Sequence, residues 1–155
     1  MTEIDKFIFE MAFRNAWGPA KSRTKNNSRY RDEFEHETCT KLVKEFCKKL
    51  VQQNKIITKC DHYKNIQTLY AYGLKIWAAQ KVLSVIIKMY WCMGKLPRPE
   101  VCPIDRLVMR HGKFDVNWTQ IEDIDEYKRI MDKLIADNEN IADWELQLWN
   151  DEFIK

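Results

Sequence analysis

The sequence predicts an all-α protein: a compact single-domain bundle of about six to seven helices around a central apolar helix at about 76–93. Three observations carry this. The chain has 155 residues, which fits a single core. It holds only four glycines and four prolines, too few for the many turns of a β protein. Its apolar residues, 45% of the total, recur mostly at helical spacing.

The first helix is predicted over 3–14, where Ile4, Phe7, Ile8, Met11 and Ala12 fall at i, i+3, i+4, i+7 and i+8. Trp17-Gly18-Pro19 is expected to end it, and the basic, Asn/Ser-rich stretch 18–29 to form a flexible loop within the single helical domain 1–155. A second helix is predicted over about 30–53, with Phe34, Leu42, Phe46 and Leu50 turned inward. Ile56-Ile57-Thr58 offers a short extended piece with nothing to pair with.

The third helix spans about 62–72 and stops near Gly73. The fourth, 76–93, has apolar residues over most of its circumference, the mark of a buried helix. Its polar residues Lys81, Ser84 and Lys88 share one stripe, and Gly94 ends it. Pro97, Pro99 and Pro103 keep 95–104 from being helical throughout. Pro103 fits a first-turn position of a helix over about 104–111. Thr119-x-x-Glu122 reads as a capping box for a helix carrying Ile124, Tyr127, Ile130, Met131, Leu134 and Ile135 on one face, and a last helix carries Ile141, Trp144, Leu148 and Trp149, its tryptophans expected in the core.

Five cysteines, an odd number without a C-x-x-C pair, read as reduced thiols of a cytoplasmic protein. The N-terminal residues lack the apolar stretch of a secretory leader, and no apolar run is long enough for a bilayer, so no membrane partner is expected. His36-x-x-Cys39 and Cys60-x-His62 do not match a common zinc spacing, so no metal site is assigned.

Charge is uneven. Residues 1–121 carry 22 Lys/Arg against 12 Asp/Glu, whereas 122–154 carry 3 against 11. Arg14, Lys21, Arg23, Lys25, Arg29 and Arg31 lie in a stretch with no acid. This pattern fits DNA or another polyanion as partner. It equally fits an acidic C-terminal part packed over the basic part.

Two segments carry chemistry: Ala79-Gln80-Lys81-Val82-Leu83-Ser84-Val85-Ile86-Ile87 and Cys102-Pro103-Ile104-Asp105-Arg106-Leu107-Val108-Met109-Arg110. Together, over about 79–110, they resemble the core of the helix-hairpin-helix DNA glycosylase superfamily, which includes endonuclease III and the archaeal 8-oxoguanine glycosylases. The resemblance implies DNA repair: cleavage of an N-glycosidic bond at a flipped base, with or without abasic-site lyase activity. It places Lys81 as nucleophile and Asp105 as the carboxylate that stabilises positive charge at the sugar. Trp77, Tyr90 and Trp91 are the aromatic candidates for a base pocket. No four-cysteine cluster follows, so neither an iron–sulfur centre nor any other cofactor is expected. The alternative is a non-catalytic helical module that binds nucleic acid or a protein, of the kind a phage or mobile element encodes. In it, Lys81 and Asp105 only shape the fold.

Overall fold

The computed structural model describes residues 1–21 and 35–154. Its regular structure there is helical: α1 (Glu3–Lys21), α2 (His36–Gln53), α3 (Lys59–Ala71), α4 (Ile76–Cys92), α5 (Arg106–His111), α6 (Ile124–Asp137) and α7 (Ile141–Phe153), with a 3-10 turn at Trp118–Gln120 between α5 and α6. No helix among the described residues is long and apolar enough to cross a membrane. The five cysteines are free, and Cys39, Cys47 and Cys102 are buried as small apolar groups.

Helix α4 is the axis of the molecule. Eleven of its seventeen residues are buried, because α1, α2, α3 and α6 pack around it. Its ends follow local chemistry. Gly73 (φ 102°) makes the turn from α3, and Gly94 (φ 74°) the turn out of α4, both in the left-handed region that suits glycine. Thr58 starts α3 by accepting a hydrogen bond from the Asp61 backbone N–H. Residues 54–58 are a non-helical connection, tied to the rest of the chain where the Glu100 N–H donates to the Ile57 carbonyl.

Four boundaries differ from expectation, the first being α3, which starts at Lys59 and not at 62. Helix α1 does not stop before Trp17 but continues through Gly18 and Pro19 to Lys21. Trp17 is 1% exposed, its indole N–H donates to Thr40 Oγ1 (3.0 Å), and Ala16 and Ala20 are buried beside it. That packing outweighs the backbone hydrogen bond lost at Pro19. The buried face of α1 is accordingly Ile8, Phe9, Ala12, Ala16 and Trp17, while Ile4 and Phe7 point to solvent. The part of the expected loop from residue 22 on, and the first residues of the expected second helix, lie outside the described residues.

Helix α5 starts at Arg106, with Asp105 as its N-cap and Pro103 ahead of it, rather than at 104. Helix α6 is capped by Asp123, whose carboxylate accepts from the Glu126 N–H (2.8 Å), and not by Thr119, which lies in the 3-10 turn. Asp123-x-x-Glu126 has the same spacing as Thr119-x-x-Glu122, and the second copy sits against the apolar run.

The charge asymmetry is partly settled within the molecule. Asp132, Asp143, Glu145 and Glu152 of α6 and α7 pair with Lys59, Arg98, Lys88 and Arg110 at 2.7–3.6 Å. The acidic C-terminal helices therefore lie against part of the basic surface.

Between α3 and α6, His62 is fully buried, 2.9 Å from the Tyr127 hydroxyl, and its Nδ1 makes no hydrogen bond. Burial pushes this imidazole down from 6.5 to about 3. The unfolded chain takes up a proton that the folded one refuses. Stability is therefore full above pH 6.5 and falls as the pH drops toward 3, at up to about 1.4 kcal/mol per unit. Denaturant unfolding at pH 7 and pH 5 should show a loss of about 2 kcal/mol at the lower pH, much reduced in His62→Leu.

Candidate active site

A helix buried over most of its circumference must find partners for the polar side chains it carries. Helix α4 has four along one side, and each partner shapes the site. Ser84 donates its hydroxyl to the Gln80 carbonyl one turn back. Lys81 and Lys88 each meet a carboxylate from another element, and Gln80 reaches across to the segment that leads into α5.

That segment, Val101 to Ile104, is buried yet outside regular structure, so its backbone needs side-chain partners. Gln80 supplies both at Ile104. Its amide Nε2 donates to the Ile104 carbonyl (2.6 Å), and its Oε1 accepts from the Ile104 N–H (3.1 Å). This two-point clamp fixes the residue immediately before Asp105 against the residue immediately before Lys81.

Asp105 then divides its two oxygens. Oδ1 accepts from the Val108 N–H (3.0 Å) and caps α5, and Oδ2 accepts from Lys81 Nζ (3.0 Å). The helix start orients the carboxylate, and the dipole of the first turn favours its negative charge. The pair stays accessible: the side chains of Lys81 and Asp105 are 34% and 20% exposed. Lys81 Nζ also lies 5.8 Å from the centre of the Trp118 ring.

Three depressions among the described residues meet at Lys81. One of about 330 Å³ runs between α4 and α7, lined by Val85, Met89, Pro103, Leu146 and Trp149 with Lys88 and Glu145. One of about 520 Å³ opens past Arg106, Arg110, Trp118 and Phe153. Asp105 lines both. A third, about 200 Å³, lies toward Ala16 and Pro19 of α1.

The two sequence candidates for chemistry are thus in contact at the mouth of a cleft. The aromatic candidates are not there. Tyr90 is fully buried with its hydroxyl donating to the Cys47 carbonyl, and Trp77 is buried edge-on against Trp118. Trp91 is half-buried and, like those two, lines none of the three depressions. On α4 only Tyr90 lies opposite Lys81; Trp77, one turn before Lys81 on the same face, is covered by Trp118. The cleft's aromatic walls come instead from Trp118 and Trp149, the latter 41% exposed rather than in the core.

Among the basic candidates, Arg14 pairs with Glu10 on the outer face of α1. The Lys21 side chain, Arg23, Lys25, Arg29 and Arg31 lie outside the described residues. The cations that the structure does bring to the cleft are Lys88, Arg106 and Arg110. Sequence reasoning missed Gln80, Glu145 and Trp118. Each acts through a partner far along the chain, and the one available signal was the polar stripe on an otherwise apolar helix.

No group of three or more His, Cys, Asp or Glu residues that could hold a metal gathers among the described residues. Comparison with protein-family models, curated proteins and solved structures gives no match. The functional reading therefore rests on the geometry of this cleft.

Proposed function

We propose that the protein is a DNA N-glycosylase with abasic-site lyase activity, in which Lys81 is the nucleophile and Asp105 the electrostatic stabiliser. The observation that carries the reading is the 3.0 Å contact between Lys81 Nζ and Asp105 Oδ2 at an accessible cleft. A lysine amine beside a carboxylate anchored on a helix start suits this reaction. Its transition state develops positive charge at the sugar C1′.

The chemistry runs on these groups alone. With the nucleotide rotated out of the duplex, the Lys81 ammonium loses a proton to water in the open cleft. The amine forms a bond to C1′ as the bond from C1′ to the base breaks. The base leaves with that electron pair and takes a proton from water. Asp105, held in place by the Val108 N–H, now faces the cationic sugar. The sugar ring opens to a Schiff base on Lys81. Water takes a C2′ proton, that electron pair forms a C2′–C3′ double bond, and the 3′ phosphate leaves, which breaks the strand. Hydrolysis frees the lysine. Arg106 and Arg110, at the wider end of the cleft, are placed to neutralise phosphates.

Incision of duplexes bearing 8-oxoguanine, uracil or an abasic site tests the reading. The wild type should nick at least one of them. Lys81→Ala should abolish nicking, and Asp105→Asn, which keeps the helix cap, should slow it about 100-fold. Nicking by Lys81→Ala at the wild-type rate would refute it. Duplex binding without nicking on any of these substrates favours the non-catalytic module.

A further inference from the structure

The stripe that the sequence offers as the core face of α1 leaves three large side chains in solvent. Ile4 is 67% exposed, Phe7 65% and Met11 37%, and they stand at i, i+3 and i+7 on one side of the helix. Single exposed apolar side chains are ordinary, whereas a row of large ones marks a contact surface. None of the three lines the depressions that meet at Lys81, so the reaction proposed above makes no use of them. Glu3, Glu10 and Arg14 run along one flank of the row. Their ion pairs, Glu3 with Lys6 and Glu10 with Arg14, are exposed and lie within α1 itself.

The molecule also carries the converse feature. An open groove of about 440 Å³ lies between α2 and α3. Leu42, Phe46 and Leu50 of α2 form one wall, Leu69 of α3 belongs to the other, and Leu83 of α4 lies between them. Leu42 and Phe46 are only half-buried. Four charged side chains line the same groove: Glu45 and Lys49 from α2, Asp61 and Lys64 from α3. All four are exposed, and none joins an ion pair among the described residues.

Row and groove match in length and in charge. Ile4 to Met11 spans about 10 Å of helix, and Leu42 to Leu50 about 12 Å. The unpaired lysines of the groove can meet Glu3 and Glu10, and its carboxylates can meet Arg14. The two cannot meet within one chain. Helix α2 faces α1 through Thr40, bound to the Trp17 indole, and through Lys44, over the Phe13 ring. Leu42, Phe46 and Lys49 face the groove from the other side of α2.

We propose that the α1 row of one molecule packs into the α2–α3 groove of a second copy. A helix row set between two others is ridge-into-groove packing. The surface given differs from the surface taken, so molecules add head to tail, as chains or as closed rings. One helix row makes a small interface, so the association is weak and rises with concentration. The proposal is independent of the glycosylase reading, since neither surface includes Lys81 or Asp105.

Sedimentation velocity of the full chain over a range of concentrations tests it. The wild type should form species heavier than a monomer as concentration rises. Phe7→Glu, at a solvent-facing position, destroys the row and leaves the groove. The double variant Lys49→Glu, Lys64→Glu sets four carboxylates around the groove and leaves the row. Each variant alone should self-associate at least about tenfold more weakly than the wild type, a change of about 1.4 kcal/mol. Their equimolar mixture should form a 1:1 dimer, because the intact groove of the first takes the intact row of the second. Circular dichroism checks that both variants are folded. A wild type that stays monomeric at every concentration overturns the proposal, as does either variant associating like the wild type. A mixture no heavier than its components overturns it too, and points to pairing of two like surfaces. Loss of DNA nicking in any variant is not required, and its absence in the wild type leaves this interface standing.

Discussion

Replacing Gln80 by leucine is expected to lower the unfolding free energy by about 3 kcal/mol, although the side chains are close in volume. Gln80 is fully buried and holds the Ile104 N–H and carbonyl in two hydrogen bonds. Leucine supplies neither, and both backbone groups are sealed from water. Each buried group left without a partner costs roughly 1–3 kcal/mol. The effect should reach the site as well, because Ile104 precedes Asp105 and Gln80 precedes Lys81. Once the clamp is gone, the 3.0 Å contact between amine and carboxylate depends on the α5 cap alone. Denaturant unfolding measures the stability, and incision per folded molecule measures the positioning. Gln80→Glu is the informative companion: it keeps an acceptor for the Ile104 N–H but sets a carboxylate oxygen against the Ile104 carbonyl. It should be no better than leucine.

The second large effect belongs to Lys88. Lys88→Met keeps the length of the side chain and removes its charge, leaving Glu145 buried beside Met89 and Leu146 with no counter-ion. Breaking a buried ion pair from one side costs about 3–5 kcal/mol, most of it the isolated charge. The double variant Lys88→Met, Glu145→Leu should recover most of that loss, because a buried pair replaced by apolar side chains is close to neutral. A double-mutant cycle reads the coupling directly. Exposed pairs such as Arg14–Glu10 should show under about 1 kcal/mol in the same experiment.

What could be read in advance follows from the range of the interactions. Helix α4 was legible because its own residues state its environment: apolar side chains cover its circumference, and Gly94 ends it. The face of α6 was legible for the same reason, with Tyr127, Ile130, Met131 and Leu134 all buried. Helix α1 was misjudged at both levels. Of the expected stripe Ile4, Phe7, Ile8, Met11 and Ala12, Ile8 and Ala12 are buried, but the buried face turns toward Phe9, Ala16 and Trp17 because that covers a tryptophan, and Ile4, Phe7 and Met11 stay exposed. The same tryptophan carries the helix past Gly18 and Pro19, which look like a terminus when read locally.

The site divides in the same way. Lys81 and Asp105 stood out as residue types in a recognisable pattern, and the structure brings them into contact. Their supports did not stand out, because nothing near Gln80 shows that its partner is the backbone of Ile104. Nor does anything near Glu145 show that its counter-ion is 57 residues back. Trp77 and Tyr90 do not line the cleft because Tyr90 points to the opposite face of α4 and Trp77, one turn from Lys81, is buried under Trp118. The residues that do flank the amine, Trp118 and Trp149, arrive from a 3-10 turn and from the last helix.

Borohydride reduction during incubation with an oligonucleotide carrying one abasic site tests the central claim most directly, because it freezes a Schiff base as a stable amine. The account predicts a covalent protein–DNA adduct that peptide mass spectrometry maps to Lys81 and that Lys81→Ala does not form. An adduct mapped to another lysine, or one formed equally well by Lys81→Ala, would contradict it.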